Sequence, residues 1–85
     1  MPTVLRKRGW RFFLYPNEGH EPPHIHAQKA GMECKFWLNP RTKDIQPAYL
    51  YQLGPADLHE VHGIIEEHFD ALLAAWTQLR NRQQP

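Results

Sequence analysis

The sequence predicts an α+β domain, a small antiparallel sheet of three or four strands followed by a long C-terminal helix or helical hairpin on one face. Three observations carry this reading. The composition changes at Leu53-Gly54-Pro55: prolines, aromatics and turn residues crowd the chain before it, and after it there is no proline until Pro85 and only one glycine, Gly63. Large apolar residues alternate with polar ones before that point and recur at three- and four-residue steps beyond it. At 85 residues the chain is the size of one domain, with the sheet expected over about residues 3–51 and the helical part over about 55–82.

Trp10–Tyr15 is a run of large β-formers that places Trp10, Phe12 and Leu14 on one face and Arg11, Phe13 and Tyr15 on the other. Pro16-Asn17-Glu18-Gly19 ends it as a turn. Pro22-Pro23 forces an extended entry into the next strand, because neither residue can donate to a ladder. His24–Lys29 and Met32–Leu38 then form a hairpin around Ala30-Gly31, with Gly31 supplying a positive φ. A two-residue loop sets the register: Lys29 faces Met32, Ala27 faces Cys34 and Ile25 faces Phe36. On the reverse face His26 meets Lys35 and His24 meets Trp37. The apolar pairs fall together, so Cys34 points inward as a small hydrophobe. Asn39–Asp44 is a turn. Ile45 and Ala48–Tyr51 make a last strand, which Pro47 confines to an edge or a bulge.

Helix begins at Pro55, a residue suited to the first helical turn. Leu58, Val61, Ile65, Phe69, Leu72, Leu73, Trp76 and Leu79 form one apolar stripe, with Asp57, Glu60, Glu67 and Asp70 opposite. A continuous helix from Pro55 to Arg82 would be about 42 Å long, whereas strands of six residues span about 20 Å. Either the helix breaks at Gly63 or near His68 and folds back, or its second half packs on another subunit. The unbroken stripe favours continuity, with Leu72, Trp76 and Leu79 as a homodimer surface.

The net charge of +1 gives no global basic field for nucleic acid, but Arg6, Lys7, Arg8 and Arg11 cluster near the start. A single cysteine excludes an internal disulfide framework and suits a reducing compartment. No apolar run approaches a membrane span, and the basic N-terminus lacks the apolar segment of a signal peptide, so a cytoplasmic protein without membrane contact is expected.

The least ordinary stretch is His20-Glu21-Pro22-Pro23-His24-Ile25-His26. His24 and His26, two apart on a strand, project from one face about 7 Å apart at the backbone. Three readings stay open. As a metal site, His24 and His26 join His20 and Glu21 to hold zinc or another divalent transition metal. As a catalytic site, here a small ribonuclease, His24 or His26 is the general acid or base and Arg11 or Lys35 stabilises the phosphorane. As structural groups, the imidazoles bond the surrounding loop. In each case at least one histidine is expected to take a polar partner from His20, Glu21 or the N-terminal arginines. On the same face Phe13, Tyr15 and Trp37 either stack bases, with Arg6 and Arg8 touching phosphate, or are covered by the N-terminal segment or a second subunit. His59 and His62, one helical turn apart, form with Glu66 a second candidate polar cluster, against which His62 and His68 read as the borders of the apolar stripe.

Together these residues resemble a family. Met1-Pro2-Thr3, a short aromatic strand, the Glu21-Pro22-Pro23-His24-Ile25-His26 core, a hairpin and the Leu72-Leu73-Ala74-Ala75-Trp76 ending are similar to the bacterial domain of unknown function DUF4160 over nearly the whole chain. The chain departs from the family pattern at Ile25, where phenylalanine is frequent, and in a less acidic hairpin. The resemblance implies a small prokaryotic protein encoded beside a second small protein, DUF2442, in the manner of toxin–antitoxin pairs, and it brings no established reaction. The function expected is therefore an interaction protein of such a two-gene module, with nucleic-acid contact, a ribonuclease and a metal-binding module as further readings.

Overall fold

Ala30 and Gly31 both adopt positive φ, 47° and 85°, the geometry of a two-residue hairpin turn whose twist matches its strands. That loop fixes β3 (His24–Lys29) against β4 (Met32–Leu38) in the register expected of such a turn, from Lys29↔Met32 through Ile25↔Phe36 to His24↔Trp37. The structure, a computed structural model, describes residues 3–18 and 20–83. Met1, Pro2 and Gly19, the last residue of the expected turn, lie outside the described residues.

Among the described residues the sheet has five antiparallel strands in sequential order, not three or four. The additional strand is β1 (Thr3–Lys7), paired to β2 (Trp10–Phe13) through a second tight turn at Arg8 and Gly9, with φ of 53° and 83°. An Arg-Gly turn is a weaker signal than Asn-Gly or Asp-Gly. The last strand, β5 (Ile45–Tyr51), runs through Pro47 with a register shift opposite Lys35/Phe36, so the proline sits at a bulge on an edge strand.

Trp10, Phe12, Leu14, Ile25, Ala27, Cys34, Phe36 and Leu38 occupy one sheet face and pack with the helices into a single core. The helical stripe is broken, not continuous: α1 (Pro55–Glu67) ends at His68 (φ −112°, ψ 22°), and α2 (Phe69–Gln83) follows directly. Pro55 takes the first helical position, and the Asp57 carboxylate accepts from the Gly54 N–H at 3.1 Å. At the break, the Lys7 ammonium reaches both Glu67 Oε1 (2.7 Å) and His68 Nε2 (3.0 Å). The change of direction keeps the second half of the stripe on the chain's own core. Leu72 (0% exposed) and Trp76 (7%) are buried there, and Leu79 packs against it. This corrects the expected homodimer surface, because those three side chains already have their apolar partners within one chain. Glu60, expected toward solvent, instead accepts from Trp10 Nε1 (2.8 Å) and Lys29 (3.2 Å). Among the described residues no helix is long and apolar enough to cross a membrane.

Candidate functional site

The antiparallel register lays the sheet's other face out in rows. One runs Phe13–His26–Lys35–Tyr49, its neighbours Arg6–Arg11–Gln28–Glu33–Tyr51 and His24–Trp37–Gln46. His24 and His26 thus share a face and point away from the helical core, as alternation requires. They are not open to solvent, however: His24 is 1% and His26 2% exposed. What covers them is the loop between β2 and β3. A short 3-10 turn, Pro16–Glu18, followed by the stiff Pro22-Pro23 entry, folds back over the strand. Two backbone hydrogen bonds fix it, Glu18 N–H to Tyr15 O (3.2 Å) and Glu21 N–H to Glu18 O (3.1 Å).

The turn delivers a carboxylate onto both rings. Glu18 Oε1 lies 3.0 Å from His24 Nε2 and 2.7 Å from His26 Nε2. The other nitrogen of each ring is also engaged: His24 Nδ1 donates to the Pro22 carbonyl at 2.9 Å, and His26 Nδ1 faces the Tyr49 oxygen at 3.4 Å. The His26 ring stacks on Phe13 (centroids 5.4 Å apart, planes at 20°) and meets the edge of Tyr15 at 4.7 Å. Lys35 bonds Glu21 Oε1 at 2.5 Å, lies 4.5 Å from the Trp37 ring centre, and comes no closer than 3.7 Å to Glu18, at Oε2.

Burial shapes the charges. It is the largest influence on His26 and holds its pKa below the ordinary imidazole value; the Glu18 hydrogen bond and charge act upward but do not offset it. For Glu18, burial acts upward, but the hydrogen bonds and charge of His26 and then His24 outweigh it and leave the carboxyl below its ordinary range. Both groups bind protons more weakly folded than unfolded, so this cluster contributes stability that is lost as pH falls. In chelator-treated protein the melting temperature is expected to fall steadily from about pH 6.5, the ordinary imidazole value, down through the carboxylate range. A melting temperature flat between pH 7 and 4 would show that the cluster is not a folding determinant.

The other residues singled out in the sequence lie around the cluster or away from it. Lys35 and Glu21 border the cluster as a mutual pair. Neither Glu21 nor the exposed His20 belongs to the group whose ligand atoms converge, which is Glu18, His24 and His26. Arg11 lies 4.4 Å above the Phe13 ring and bonds the Thr3 hydroxyl at 3.0 Å, one row away from the histidines. Phe13 is fully buried and Tyr15 half-buried, so neither offers an open platform for a base; Trp37 is half-buried, and Arg6 and Arg8 are exposed. On α1, His62 and Glu66 form only a loose surface pair at 4.0 Å, and His59 is exposed.

Two residues escaped sequence reasoning. Glu18 sits in a turn, where no periodicity says which way a side chain points. Tyr49 lies beyond the β5 bulge, which shifts the register that would place it. A different feature lies on β5 itself. Tyr49, Leu50 and Tyr51 are 40%, 42% and 57% exposed, on a strand hydrogen-bonded on one side only.

Fold and site together define a class, a small α+β domain whose sheet carries a buried carboxylate–imidazole cluster opposite its helical core. The chain belongs to the DUF4160 family, a domain of unknown function, whose family profile matches residues 9–77. No curated protein and no solved structure matches the chain.

Proposed function

We propose that the domain is a cytoplasmic protein-interaction module, one component of a two-gene pair in the manner of toxin–antitoxin systems. Its partner is a small protein of the DUF2442 kind encoded beside it, and the partner docks on β5. The observation that carries this reading is the run Tyr49-Leu50-Tyr51, three consecutive large side chains exposed on an unpaired strand edge. Such an edge invites another strand, and proteins ordinarily blunt it with charge, proline or a bulge. Here Pro47 and the bulge guard only the first part of β5, while residues 48–51 carry no charge and no proline. Main-chain pairing along that segment would supply affinity, and the alternating tyrosine and leucine side chains would supply specificity.

The ribonuclease reading has less support. A general base needs a nitrogen free to take a proton from substrate, and the His24 nitrogens face Pro22 O and Glu18 while those of His26 face Tyr49 and Glu18. Contact with nucleic acid is favoured by one specific feature, the cross-strand pair Arg6 and Arg11, which shares a cleft with Gln28 and Tyr51.

Amide hydrogen exchange of the chain with and without the neighbouring protein tests the reading. Protection is expected at residues 48–51, whose outward amides pair with the partner. Protection confined to residues 6–11 on addition of RNA, with none at 48–51 on addition of the protein, would move the function to the arginine row.

A further inference from the structure

A carbonyl oxygen can only accept, so His24 Nδ1, 2.9 Å from Pro22 O, carries the ring proton and Nε2 carries the lone pair of the neutral ring. Tyr49 commits its single hydroxyl proton to Glu33 Oε2 at 2.6 Å, so its oxygen faces His26 Nδ1 at 3.4 Å as an acceptor. With its Nδ1–H turned to that oxygen, His26 takes the same tautomer as His24, and Nε2 is the atom it offers to a metal. Three lone-pair donors, two Nε2 atoms and Glu18 Oε1, therefore converge within 4.8 Å of one another.

Without a metal, each contact to Glu18 needs a proton between its two atoms, and taking up both leaves a net positive charge in a site where the two rings are buried with centroids 5.3 Å apart. One cation satisfies all three donors at once. Imidazoles whose outer N–H is held by a carbonyl or another acceptor, with the inner nitrogen aimed at a carboxylate, are how proteins orient metal-binding histidines.

We propose that Glu18, His24 and His26 bind one divalent transition-metal ion of the zinc type, through Glu18 Oε1 and the Nε2 atoms of both rings. Two imidazoles and a carboxylate suit a borderline ion and disfavour magnesium or calcium, which prefer oxygen donors. With metal–ligand distances of about 2.0–2.2 Å, the donor atoms must sit roughly 3.3 Å apart, so the 2.7 and 3.0 Å contacts open by a few tenths of an ångström. Glu18, at 20% exposure the most accessible of the three, makes that adjustment from its turn. Lys35, whose ammonium would repel a cation beside it, is drawn off by Glu21 at 2.5 Å and approaches the opposite Glu18 oxygen, Oε2. Three protein donors leave a fourth position for water. The ion ties the 16–18 turn to β3 and does not depend on a partner at β5.

The test uses untagged full-length protein, stripped with chelator and titrated with zinc by calorimetry and with cobalt(II) by visible absorption. One equivalent of zinc is expected to bind with submicromolar affinity, and cobalt to give ligand-field bands. Glu18→Gln, which keeps the shape of the turn, is expected to weaken zinc at least 100-fold. Long-range nitrogen NMR is expected to show zinc shifting the Nε2 resonances of His24 and His26 while their Nδ1 atoms keep their protons. The Leu50→Lys/Tyr51→Lys variant is expected to bind zinc as the wild type does, which separates this site from the β5 reading. Equal zinc affinity in wild type and Glu18→Gln, no binding at 100-fold excess zinc, or shifts confined to His20, His59, His62 and His68 would each overturn the assignment.

Discussion

Trp76→Ala is expected to cost about 3–5 kcal/mol of unfolding free energy, the range for truncating a buried tryptophan. An 85-residue domain has only about 4–13 kcal/mol in total, so the variant should be largely unfolded at moderate urea concentrations. The effect is large because Trp76 serves two packing roles. It belongs to the core with Phe12, Ile25 and Phe36. It also lines, with Leu14, Leu79 and Arg80, the recess that reaches Glu18 and His24, so its loss loosens the turn that carries the carboxylate. Equilibrium urea denaturation followed by far-UV circular dichroism measures the cost. A loss below about 1 kcal/mol, the usual size for a surface position, combined with dissociation of a dimer, would return Trp76 to a subunit interface.

His26→Ala is expected to cost about 2–4 kcal/mol, more than a polar residue on a sheet face ordinarily contributes. The ring is 2% exposed, stacked on Phe13, and bonded to Glu18 at 2.7 Å. Truncation leaves a cavity between Phe13 and Tyr15 and deprives a partly buried carboxylate of a partner. His20→Ala is the comparison, since His20 is exposed in the same loop and should stay within about 0.5 kcal/mol of wild type. The same denaturation curves decide: equal costs for the two substitutions would mean that the cluster does not hold the loop.

The β3–β4 register is legible in the residues themselves. It follows from a two-residue turn and the matching of Ile25 with Phe36 and Ala27 with Cys34, because a one-residue slip would put the histidines in the core. What periodicity does not encode is how segments close over one another. The helical stripe has the same period whether or not the chain bends at His68; only the size of the sheet decides, and β1 adds to that sheet through an Arg-Gly turn that carries little signal. Glu18 is the sharper case. Alternation tells which face His24 and His26 share, but the carboxylate that meets them comes from a turn, and along the chain His20 and Glu21 are the nearer partners. The burial of Phe13 is equally hidden from alternation, since its ring is closed in by His26, the edge of Tyr15 and the Arg11 guanidinium.

The central claim is that β5 is a docking edge, and its most direct test is the affinity of the neighbouring DUF2442-like protein for the wild type and for Leu50→Lys/Tyr51→Lys, by isothermal titration. Lysines on an edge are the device that proteins use to refuse a further strand, and both positions are exposed enough to take them without loss of fold. A one-to-one complex is expected for the wild type, weakened at least 100-fold in the variant while its melting temperature stays within a few degrees. Undiminished binding by a folded variant, or no complex with the wild type, would contradict the claim.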